Sequence, residues 1–402
     1  MIDIKIIREN PDKVKKAMKD RGKDFGVVDE VLRIDEEYKK LLIEFESLKA
    51  EQNKVGKKPS FDELESLKSL KIKLGDLTPK LNKLELEIKS RMEEIPNIQF
   101  VDVPVGVDES ANKEVRQWGQ KPEFDFEPKD YMELGEELDV IDTKRAVKIS
   151  GSRFGFLKGE AVLMEFKLIN MAVDFLVSEG FTPILPPVMV SEETMKRTGH
   201  LTKNDAREKY FLPEDNMILV GSSEQSILPM HADEVFEETN LPRRYVGFST
   251  CFRREAGSYG KDTKGILRVH QFDKVEMISY VKPEDSEAEL DYLVSLQENI
   301  IQKLGLHYRM VANSTGDMGV TAARQYDIEV WMPSQNKYRE TNSASNCTDY
   351  QTRRLNIKYK NKETGRNEFV HALNATAMTQ RPLIALIENY QTKDGKVNFP
   401  KL

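Results

Sequence analysis

Residues 251–272 read CFRREAGSYGKDTKGILRVHQF, and they concentrate positive charge in a chain whose formal net charge is -7. Alternating apolar and polar residues on either side of a glycine-containing centre, AGSYGKDTKG, predict two antiparallel strands joined by a long loop. The cations are Arg253, Arg254, Lys261, Lys264, Arg268 and His270. Two carboxylates, Glu255 and Asp262, stand among them. The stretch therefore predicts a strand hairpin with basic side chains gathered near its loop.

The sequence around this hairpin indicates an α+β fold. Short runs such as FTPILPPVMV (181–190) and YDIEVWMP (326–333) alternate and are separated by turn residues, as antiparallel strands are. A helix is predicted over 161–180. Another is predicted over 283–305, which begins with acidic residues and ends at Gly305. We therefore expect an antiparallel sheet flanked by helices.

Composition excludes several classes of protein. With 402 residues and 39% hydrophobic content, the chain can bury a large core. Its start lacks an apolar leader, and no stretch approaches the roughly 18–20 apolar residues that span a membrane, so we expect a soluble cytoplasmic protein. Two cysteines are too few for a disulfide framework. The five histidines lack HxxxH spacing, which argues against a histidine metal site.

Residues 1–96 are predicted to form a separate helical domain with an antiparallel coiled coil over about 29–94. Its two heptad seams are Val31, Ile34, Tyr38, Leu41, Phe45, Leu48, Gln52 and Val55, then Leu67, Leu70, Leu74, Leu77, Leu81, Leu84 and Ile88. Pro59 would end the first helix, and Ser60 with Glu63 has capping-box spacing. Pro79 lies inside the second seam and predicts a kink or a break.

Two functions for this hairpin stay open at this point. From the heptads alone, a dimerisation coiled coil is one of two equally favoured interpretations. The alternative is a nucleic-acid-binding arm. Because the hairpin has no ladder of aromatic side chains on which single-stranded bases could stack, its ligand would be a structured nucleic acid. The lysines available to phosphates are Lys39, Lys40, Lys49, Lys54, Lys57, Lys58, Lys68, Lys71 and Lys73.

Residues 97–150 predict a connector. Pro104, Pro122 and Pro128 interrupt it, and it ends in an amphipathic stretch. From Gly151 the alternation of helix and strand patterns begins. The chain is thus expected to divide into 1–96, 97–150 and an α+β domain over 151–402.

A phosphate site in this chain would have to be built from side chains. Neither GxGxxG nor GxxxxGK[ST] occurs. On a strand, Arg253 and Glu255 would point to the same face, where a guanidinium and a carboxylate can hold a phosphate and an amine. An isolated pair of this kind is more commonly an ordinary cross-strand salt bridge.

The pair is not isolated, because it belongs to a longer pattern. The segment FRREAGSYGKDTKGILRVHQFDKVE resembles motif 2 of the class II aminoacyl-tRNA synthetases, and within them the seryl-tRNA synthetase family. EGFTPILPPVMV resembles motif 1, and HALNATAMTQRPLIALIENYQ resembles motif 3. GDMGVTAARQYDIEVWMPSQNKYRETNSASNCTDYQTRR lies between them in the family's order. The resemblance covers essentially the whole chain and implies a class II antiparallel sheet, a homodimer and a tRNA-binding hairpin.

The resemblance also implies an ATP site. Its members would be Arg253, Arg254, Glu255, Val269, Phe272, Glu340, Thr341, Asn342, Ser343 and Arg381. Arg253 and Arg381 would be the catalytic residues, on the α- and γ-phosphates. Glu255 would accept a hydrogen bond from adenine and Phe272 would stack on it. Glu340 and Ser343 would hold Mg²⁺.

The implied substrates are ATP, L-serine and tRNA(Ser), with tRNA(Sec) where it is present. The residues facing serine would be Ser222, Ser223, Glu224, Arg253, Glu276 and Thr376. The implied reaction forms seryl-adenylate and pyrophosphate, and then transfers the seryl group to the 3′ end of tRNA. Glutamates suit both the ammonium and the hydroxyl of serine.

The chain departs from the family pattern in three places. Ser222 replaces a threonine, Asn342 stands where serine is common, and the run between Asn374 and Arg381 is one residue shorter. A paralogue that passes an activated amino acid to a carrier remains an alternative, although such enzymes tend to lose the hairpin. A catalytically inactive binding protein is another, although it would be expected to lose the charged motif residues.

Overall fold

The structure is a computed structural model that describes residues 1–54, 60–202, 205–256 and 265–401. The chain forms two compact units, Met1–Ile98 and Gln99–Leu402. Within the described residues, no helix combines the length and the apolar character needed to cross a membrane. Each unit is described by itself below.

The first unit is a helical hairpin with two short helices before it. Its helices are α1 Ile4–Glu9, α2 Pro11–Asp20, α3 Gly26–Lys54 and α4 Phe61–Glu93. The second heptad seam is buried from Leu70 to Leu84, and the first seam is buried or half-buried. Helix α4 begins at a complete capping box in which Ser60 and Glu63 exchange side-chain and backbone hydrogen bonds, which confirms that prediction. Val55 and Pro59 lie outside the described residues.

Of the two outcomes predicted at Pro79, the break is wrong, and the kink stays a prediction. Helix α4 runs without interruption through Pro79 for 33 residues. The proline ring removes one backbone donor and crowds the carbonyl four residues earlier, which belongs to Gly75. The preceding side chain, Thr78, donates its hydroxyl to the Leu74 carbonyl at 2.7 Å. The buried seam on both sides of Pro79 offsets the lost backbone hydrogen bond, so the helix continues.

The second unit contains the remaining helices and all strands of the described chain. Its helices are α5 Tyr131–Glu137, α6 Thr143–Ser150, α7 Glu160–Ser178, α8 Glu192–Arg197, α9 Glu224–Ile227, α10 Ser286–Lys303, α11 Tyr350–Leu355 and α12 Gln380–Asn389. Its strands are β1 Lys113–Trp118, β2 Ile141–Asp142, β3 Phe156–Leu157, β4 Thr182–Ile184, β5 Met189–Ser191, β6 Phe211–Leu212, β7 Met217–Leu219, β8 Val235–Glu237, β9 Arg243–Phe252, β10 Gln271–Val281, β11 Tyr308–Ala312, β12 Arg324–Met332, β13 Lys337–Asn346, β14 Lys358–Lys360, β15 Asn367–Phe369 and β16 His371–Thr379.

Eight strands form the central sheet in the order β1-β11-β12-β13-β16-β10-β9-β4. All neighbours in it are antiparallel except β4 and β9, which are parallel. This arrangement confirms the predicted α+β class with an antiparallel sheet and flanking helices. The edge strand β1 comes from the segment 97–150 that was predicted to be a connector, and it pairs with β11.

Two strand predictions around the hairpin need correction. Strand β9 ends at Phe252 and β10 begins at Gln271, so Arg253, Glu255 and the run 266–269 all lie outside the strands. Arg253 and Glu255 therefore do not share a strand face as predicted. Similarly, FTPILPPVMV forms two three-residue strands, β4 and β5, because consecutive prolines at 186 and 187 supply no backbone donors between them.

Buried amides tie the middle of the sheet to its helices. Gln297 of α10 donates its amide to the backbone carbonyls of Ser343 and Thr376, at 2.9 and 2.8 Å. Asn342 donates to the carbonyls of Thr376 and Ala377, at 2.9 and 3.0 Å. Both amides are fully buried, so β13 and β16 are held in a fixed relation at the place where their polar side chains emerge.

One buried carboxyl group on α7 predicts a pH dependence of stability. Burial, aided by the nearby charge of Asp273, raises the pKa of Glu165 to about 8, and its Oε2 has no hydrogen-bond partner among the described residues. The pKa of Glu165 is higher in the folded than in the unfolded protein. The stability that the neutral carboxyl group contributes below about pH 4.5 is therefore lost as the pH rises through about 8. Glu165→Gln should therefore raise the melting temperature at pH 9 more than at pH 6, by an amount equivalent to a few kcal/mol.

Thermal unfolding of the two proteins at pH 6, 7.5 and 9 measures this effect. The matched control is Glu160→Gln, at an exposed carboxylate of the same helix. A gain in stability that stays constant across these pH values would show that Glu165 is already ionised in the folded protein at pH 6 and that its pKa is not raised.

Candidate active site

A cavity of about 750 Å³ opens on one face of the central sheet. Phe272, Lys274 and Glu276 alternate along β10 and point into it, since residues two apart on a strand share a face. Strands β13 and β16 and the start of α12 provide other walls. The predicted residues that line the cavity are Ser222, Glu224, Arg253, Glu255, Val269, Phe272, Glu276, Glu340, Thr341, Ser343, Thr376 and Arg381.

Arg253 is held by backbone contacts directly after β9. Its amide donates to the His270 carbonyl at 3.0 Å, and its Nε donates to the Gly221 carbonyl at 3.1 Å. The guanidinium lies 5.3 Å from the ring centre of Phe272. Arg253 lines the cavity, where the planar fork of donors of a guanidinium suits a phosphate.

Glu255 reaches the cavity from a turn. Its backbone has a left-handed φ of 51°. Its carboxylate accepts from Nε of Arg268 at 2.8 Å, and Arg268 also lines the cavity. The pair places one negative and one positive group side by side at the base of the loop that joins β9 to β10.

Arg381 and Glu340 form a second charged pair that lines the cavity. Nη1 of Arg381 lies 3.1 Å from the Glu340 carboxylate and donates to the Glu340 carbonyl at 2.7 Å. Desolvation acts to raise the pKa of Glu340, but the Arg381 guanidinium more than offsets it, so the pKa is lowered and the group is an anion.

The run between Asn374 and Arg381 lies in β16 and the first turn of α12. The pairing of β10 with β16 shifts register between Val275 and Glu276, which leaves Ala377 as a bulge. Helix α12 begins directly after the strand, at Gln380, and the Thr379 hydroxyl accepts from the Arg381 amide at 3.3 Å. Both Thr376 and Arg381 consequently reach the cavity.

Oxygen atoms suited to a hard cation lie beside the Arg381–Glu340 pair. Ser343 is opposite Asp327 in the register of β13 and β12, and Glu340 is on the same strand as Ser343. Burial, together with the Glu340 charge, raises the pKa of Asp327 to about 7. Repulsion between the two carboxyl groups is what a divalent cation would relieve. The described residues contain no group of three or more His, Cys, Asp or Glu side chains arranged for a metal, so phosphate oxygens would have to complete its coordination.

A buried anion, Glu224, lines the end of the cavity that also holds Ser222, Lys274 and Glu276. Its carboxylate contacts Nε2 of His200 at 3.0 Å and accepts from the Gln351 amide at 2.8 Å. Burial acts to raise its pKa, but the His200 and Gln351 contacts and the charge of Lys274 outweigh burial and lower the pKa to about 2. Glu224 therefore offers a fixed negative charge to a cation.

Glu276 forms the floor of the same end. Nζ of Lys274 lies 2.5 Å from its carboxylate, and the Thr376 hydroxyl donates to it at 3.1 Å. Burial raises the pKa of Glu276, with Lys274 opposing the shift. Lys274 also donates to the Ser222 hydroxyl at 3.4 Å. This end of the cavity thus combines two carboxyl groups with two hydroxyls in a small volume.

Three predicted residues, Arg254, Ser223 and Asn342, are not among those that line the cavity. The guanidinium of Arg254 lies 5.7 Å from the ring centre of Tyr210. Ser223 is fully buried and donates to the Gly247 carbonyl at 3.3 Å. The side-chain amide of Asn342 donates to backbone carbonyls of the neighbouring strand β16. Asn342 points away from the cavity because its neighbours on β13, Thr341 and Ser343, point towards it.

The sequence interpretation missed several residues of the site. Lys274 was detectable, since it alternates with Phe272 and Glu276 on β10. His200 and Gln351 carry no such signal, because each is brought to Glu224 by tertiary packing. Lys209, a buried lysine on the cavity wall, also went unnoticed.

Comparisons with known proteins agree with this geometry. Residues 1–99 match the seryl-tRNA synthetase N-terminal domain, and residues 210–390 match the tRNA synthetase class II core domain (G, H, P, S and T). A serine–tRNA ligase from Thermobifida fusca is 44% identical over 100% of this chain and 96% of its own length. A serine–tRNA ligase from Petrotoga mobilis is 43% identical, covering 100% and 97%.

Solved structures give the same result. A seryl-tRNA synthetase from Pyrococcus horikoshii, complexed with ATP, superposes with a TM-score of 0.94 at 38% identity, covering 100% of this chain and 96% of that one. A cytoplasmic serine–tRNA ligase from Naegleria fowleri, in complex with AMP, gives 0.90 at 35% identity, with the same coverage. Full-length similarity of both sequence and fold shows that this chain belongs to the seryl-tRNA synthetase family.

Proposed function

We propose that this chain is a serine–tRNA ligase that activates L-serine with ATP and transfers it to tRNA(Ser). The observation that carries the proposal is a single cavity lined by Arg253 and Arg381 together with Glu224 and Glu276. The arginines suit a triphosphate, and the carboxyl groups suit an amino acid that carries an ammonium and a hydroxyl. The ATP and AMP complexes of the two structural relatives support the assignment of the nucleotide.

The proposed reaction has two steps that this arrangement can promote by positioning. In the first, the serine carboxylate attacks the α-phosphorus, and the bond to the leaving pyrophosphate breaks, which gives seryl-adenylate. In the second, the terminal ribose hydroxyl of tRNA attacks the seryl carbonyl carbon and loses its proton, and AMP leaves. Arg253 would stabilise charge on the α-phosphate and Arg381 charge on the γ-phosphate.

The nucleotide base would lie near Phe272, Val269 and Glu255. Phe272 offers an aromatic face, and the backbone at Val269 lies beside it on the cavity wall. Glu255 would accept from the adenine amine while Arg268 holds its carboxylate in place. Thr341 lies on the wall formed by β13.

Mg²⁺ is the cofactor proposed with ATP. Glu340 and Ser343 would supply protein oxygens, and the phosphates would supply others. The ion, when bound, would neutralise part of the phosphate charge. Arg381 then has a positioning role towards Glu340 in addition to its contact with phosphate, because it is within 3.1 Å of that carboxylate.

Selectivity for serine is proposed to come from the buried end of the cavity. Glu224 would bind the ammonium, with Ser222 beside it. Glu276 and Thr376 would bind the hydroxyl. An amino acid without a hydroxyl would leave these buried groups unpaired, which costs enough to reject it without an editing site.

Glu276→Gln tests this assignment. The amide keeps the shape of the side chain but removes its charge-assisted hydrogen bond, so kcat/KM for serine in ATP–pyrophosphate exchange should fall by about 10- to 30-fold. Exchange with alanine, which lacks the hydroxyl, should change by less than about threefold. Equal losses for serine and alanine would instead place the Glu276 contact on a group that both amino acids share.

Exchange and charging assays on the unmodified chain test the function itself. We expect serine-dependent exchange together with charging of purified tRNA(Ser). Exchange without charging would favour a paralogue that transfers serine to another acceptor. Absence of both would favour a binding protein without catalysis.

Three further properties are proposed by resemblance and by surface chemistry. A homodimer would cover exposed apolar side chains on α7 and around β4 and β5, namely Leu163, Phe166, Leu185 and Met189. The hairpin of α3 and α4 would bind tRNA(Ser), and tRNA(Sec) where it is present. The protein would act in the cytoplasm.

A further inference from the structure

Lys209 is a charged side chain that the assigned roles leave unexplained. It follows the turn Asp205–Glu208, is only 7% exposed, and lines the cavity. No hydrogen bond or ion pair joins its ammonium to another residue of the described ranges. A buried lysine without a partner is unfavourable, because the ammonium loses its hydration without compensation.

The position of the ammonium is fixed relative to Arg253. A Cβ atom added to Gly221 would lie 3.6 Å from Nζ of Lys209 and 3.6 Å from Nε of Arg253. The two cations therefore converge on the same stretch of backbone, immediately before Ser222. That stretch joins the phosphate-binding wall of the cavity to its amino-acid end.

The surroundings weaken the proton affinity of Lys209 while leaving it charged at neutral pH. Burial is the main cause and the Arg253 guanidinium adds to it. The carboxylates of Asp205, Glu208 and Glu224 oppose the shift, and the resulting pKa of Lys209 is about 8. Like-charged neighbours that share a cavity are a common arrangement where an anion binds between them.

We propose that Lys209 is a second substrate-binding cation, which acts with Arg253 on the anionic junction where the serine carboxylate meets the α-phosphate of ATP. The inference rests on the proposed function, because it takes the location of that junction from Arg253 on one side and Ser222 on the other. Negative charge accumulates at this junction as the carboxylate attacks, so a cation fixed there stabilises the transition state.

Lys209→Met removes the charge and keeps the length of the side chain. We expect kcat/KM for serine-dependent ATP–pyrophosphate exchange at pH 7 to fall by at least about 10-fold. The melting temperature should stay the same or rise, because an apolar side chain replaces an uncompensated buried charge. Loss of activity without loss of stability separates substrate binding from a structural role. Lys148→Met, at an exposed lysine of α6, is the matched control.

The pH profile gives a second readout. The pH dependence of kcat/KM reports the pKa values of the free enzyme. The kcat/KM of the unmodified chain divided by that of Lys209→Met should therefore decline as the pH rises through about 8, where Lys209 loses its proton. Lys209→Arg stays charged and should retain at pH 9 a larger share of its pH 7 activity than the unmodified chain does. This comparison remains available if the methionine variant does not fold.

A ratio that stays flat from pH 6.5 to 9.5, or exchange within twofold of normal in Lys209→Met, would overturn the inference. Failure of the proposed function has a different signature. In that case the unmodified chain itself would show no serine-dependent exchange at any pH.

Discussion

Arg253→Ala is expected to lower kcat/KM for serine-dependent ATP–pyrophosphate exchange by a factor on the order of 10² to 10³. The guanidinium is oriented before substrate binds, by its contact with the Gly221 carbonyl and by the ring of Phe272. A group oriented in advance needs little reorganisation when charge develops on the α-phosphate. Its removal should therefore lower kcat more than it raises KM for ATP.

Two variants define what the arginine contributes. Arg253→Lys keeps a charge but loses the planar fork, so we expect it to recover less than about a tenth of the lost activity. Arg254→Ala is the matched control. It removes an adjacent arginine whose guanidinium lies over Tyr210 and not on the cavity wall, and should change exchange by no more than about threefold. Arg253→Ala with exchange within a few-fold of normal would contradict the proposed phosphate contact.

The parts of this site that were predictable from sequence are those set by short periodicity or by long motifs. Alternation along β10 places Phe272 and Glu276 on one face, and the same rule would have added Lys274. Motif resemblance identified residues far apart in the chain, such as Glu224 and Arg381, which no local pattern brings together. The antiparallel class followed from the short alternating runs.

The errors arose where local chemistry ends a pattern. Alternation alone extends β9 to Glu255, but the strand ends at Phe252 and Glu255 adopts a left-handed backbone. The bulge at Ala377 depends on how β16 pairs with β10, and the sequence of β16 alone does not specify that pairing. At Pro79 the error was in the opposite direction, since tertiary packing of the seam maintained a helix that propensity would break.

Contacts between distant segments were beyond sequence reasoning altogether. His200 and Gln351 both reach Glu224, across separations of 24 and 127 residues. His200 belongs to no quoted motif, and although Gln351 lies in the quoted segment 316–354, nothing in that segment indicates a contact with Glu224. Their effect is electrostatic, because they help to lower the pKa of a carboxyl group that burial alone would raise. The ionised state of Glu224 is thus a property of the fold and not of its own motif.

Reversing the charge of four lysines on the helical hairpin is expected to lower kcat/KM for tRNA charging by about 10²-fold or more, and to leave pyrophosphate exchange within twofold of normal. The side chains are all exposed, two on α3 and two on α4. They are Lys40, Lys49, Lys71 and Lys73. Because the substitutions avoid the buried leucine seam, the hairpin should keep its fold, which circular dichroism can check.

This experiment also decides between the two functions that the heptads leave open. For a phosphate-binding hairpin, the variant should show a shallower dependence of charging on salt, by up to about one unit of logarithmic slope per lysine that contacts phosphate. A dimerisation coiled coil would instead predict an altered oligomeric state and comparable losses of exchange and charging. The matched control reverses four exposed lysines of the second unit, Lys148, Lys337, Lys360 and Lys401. Equal loss of charging in the two variants would show that general surface charge, and not the hairpin, recruits tRNA.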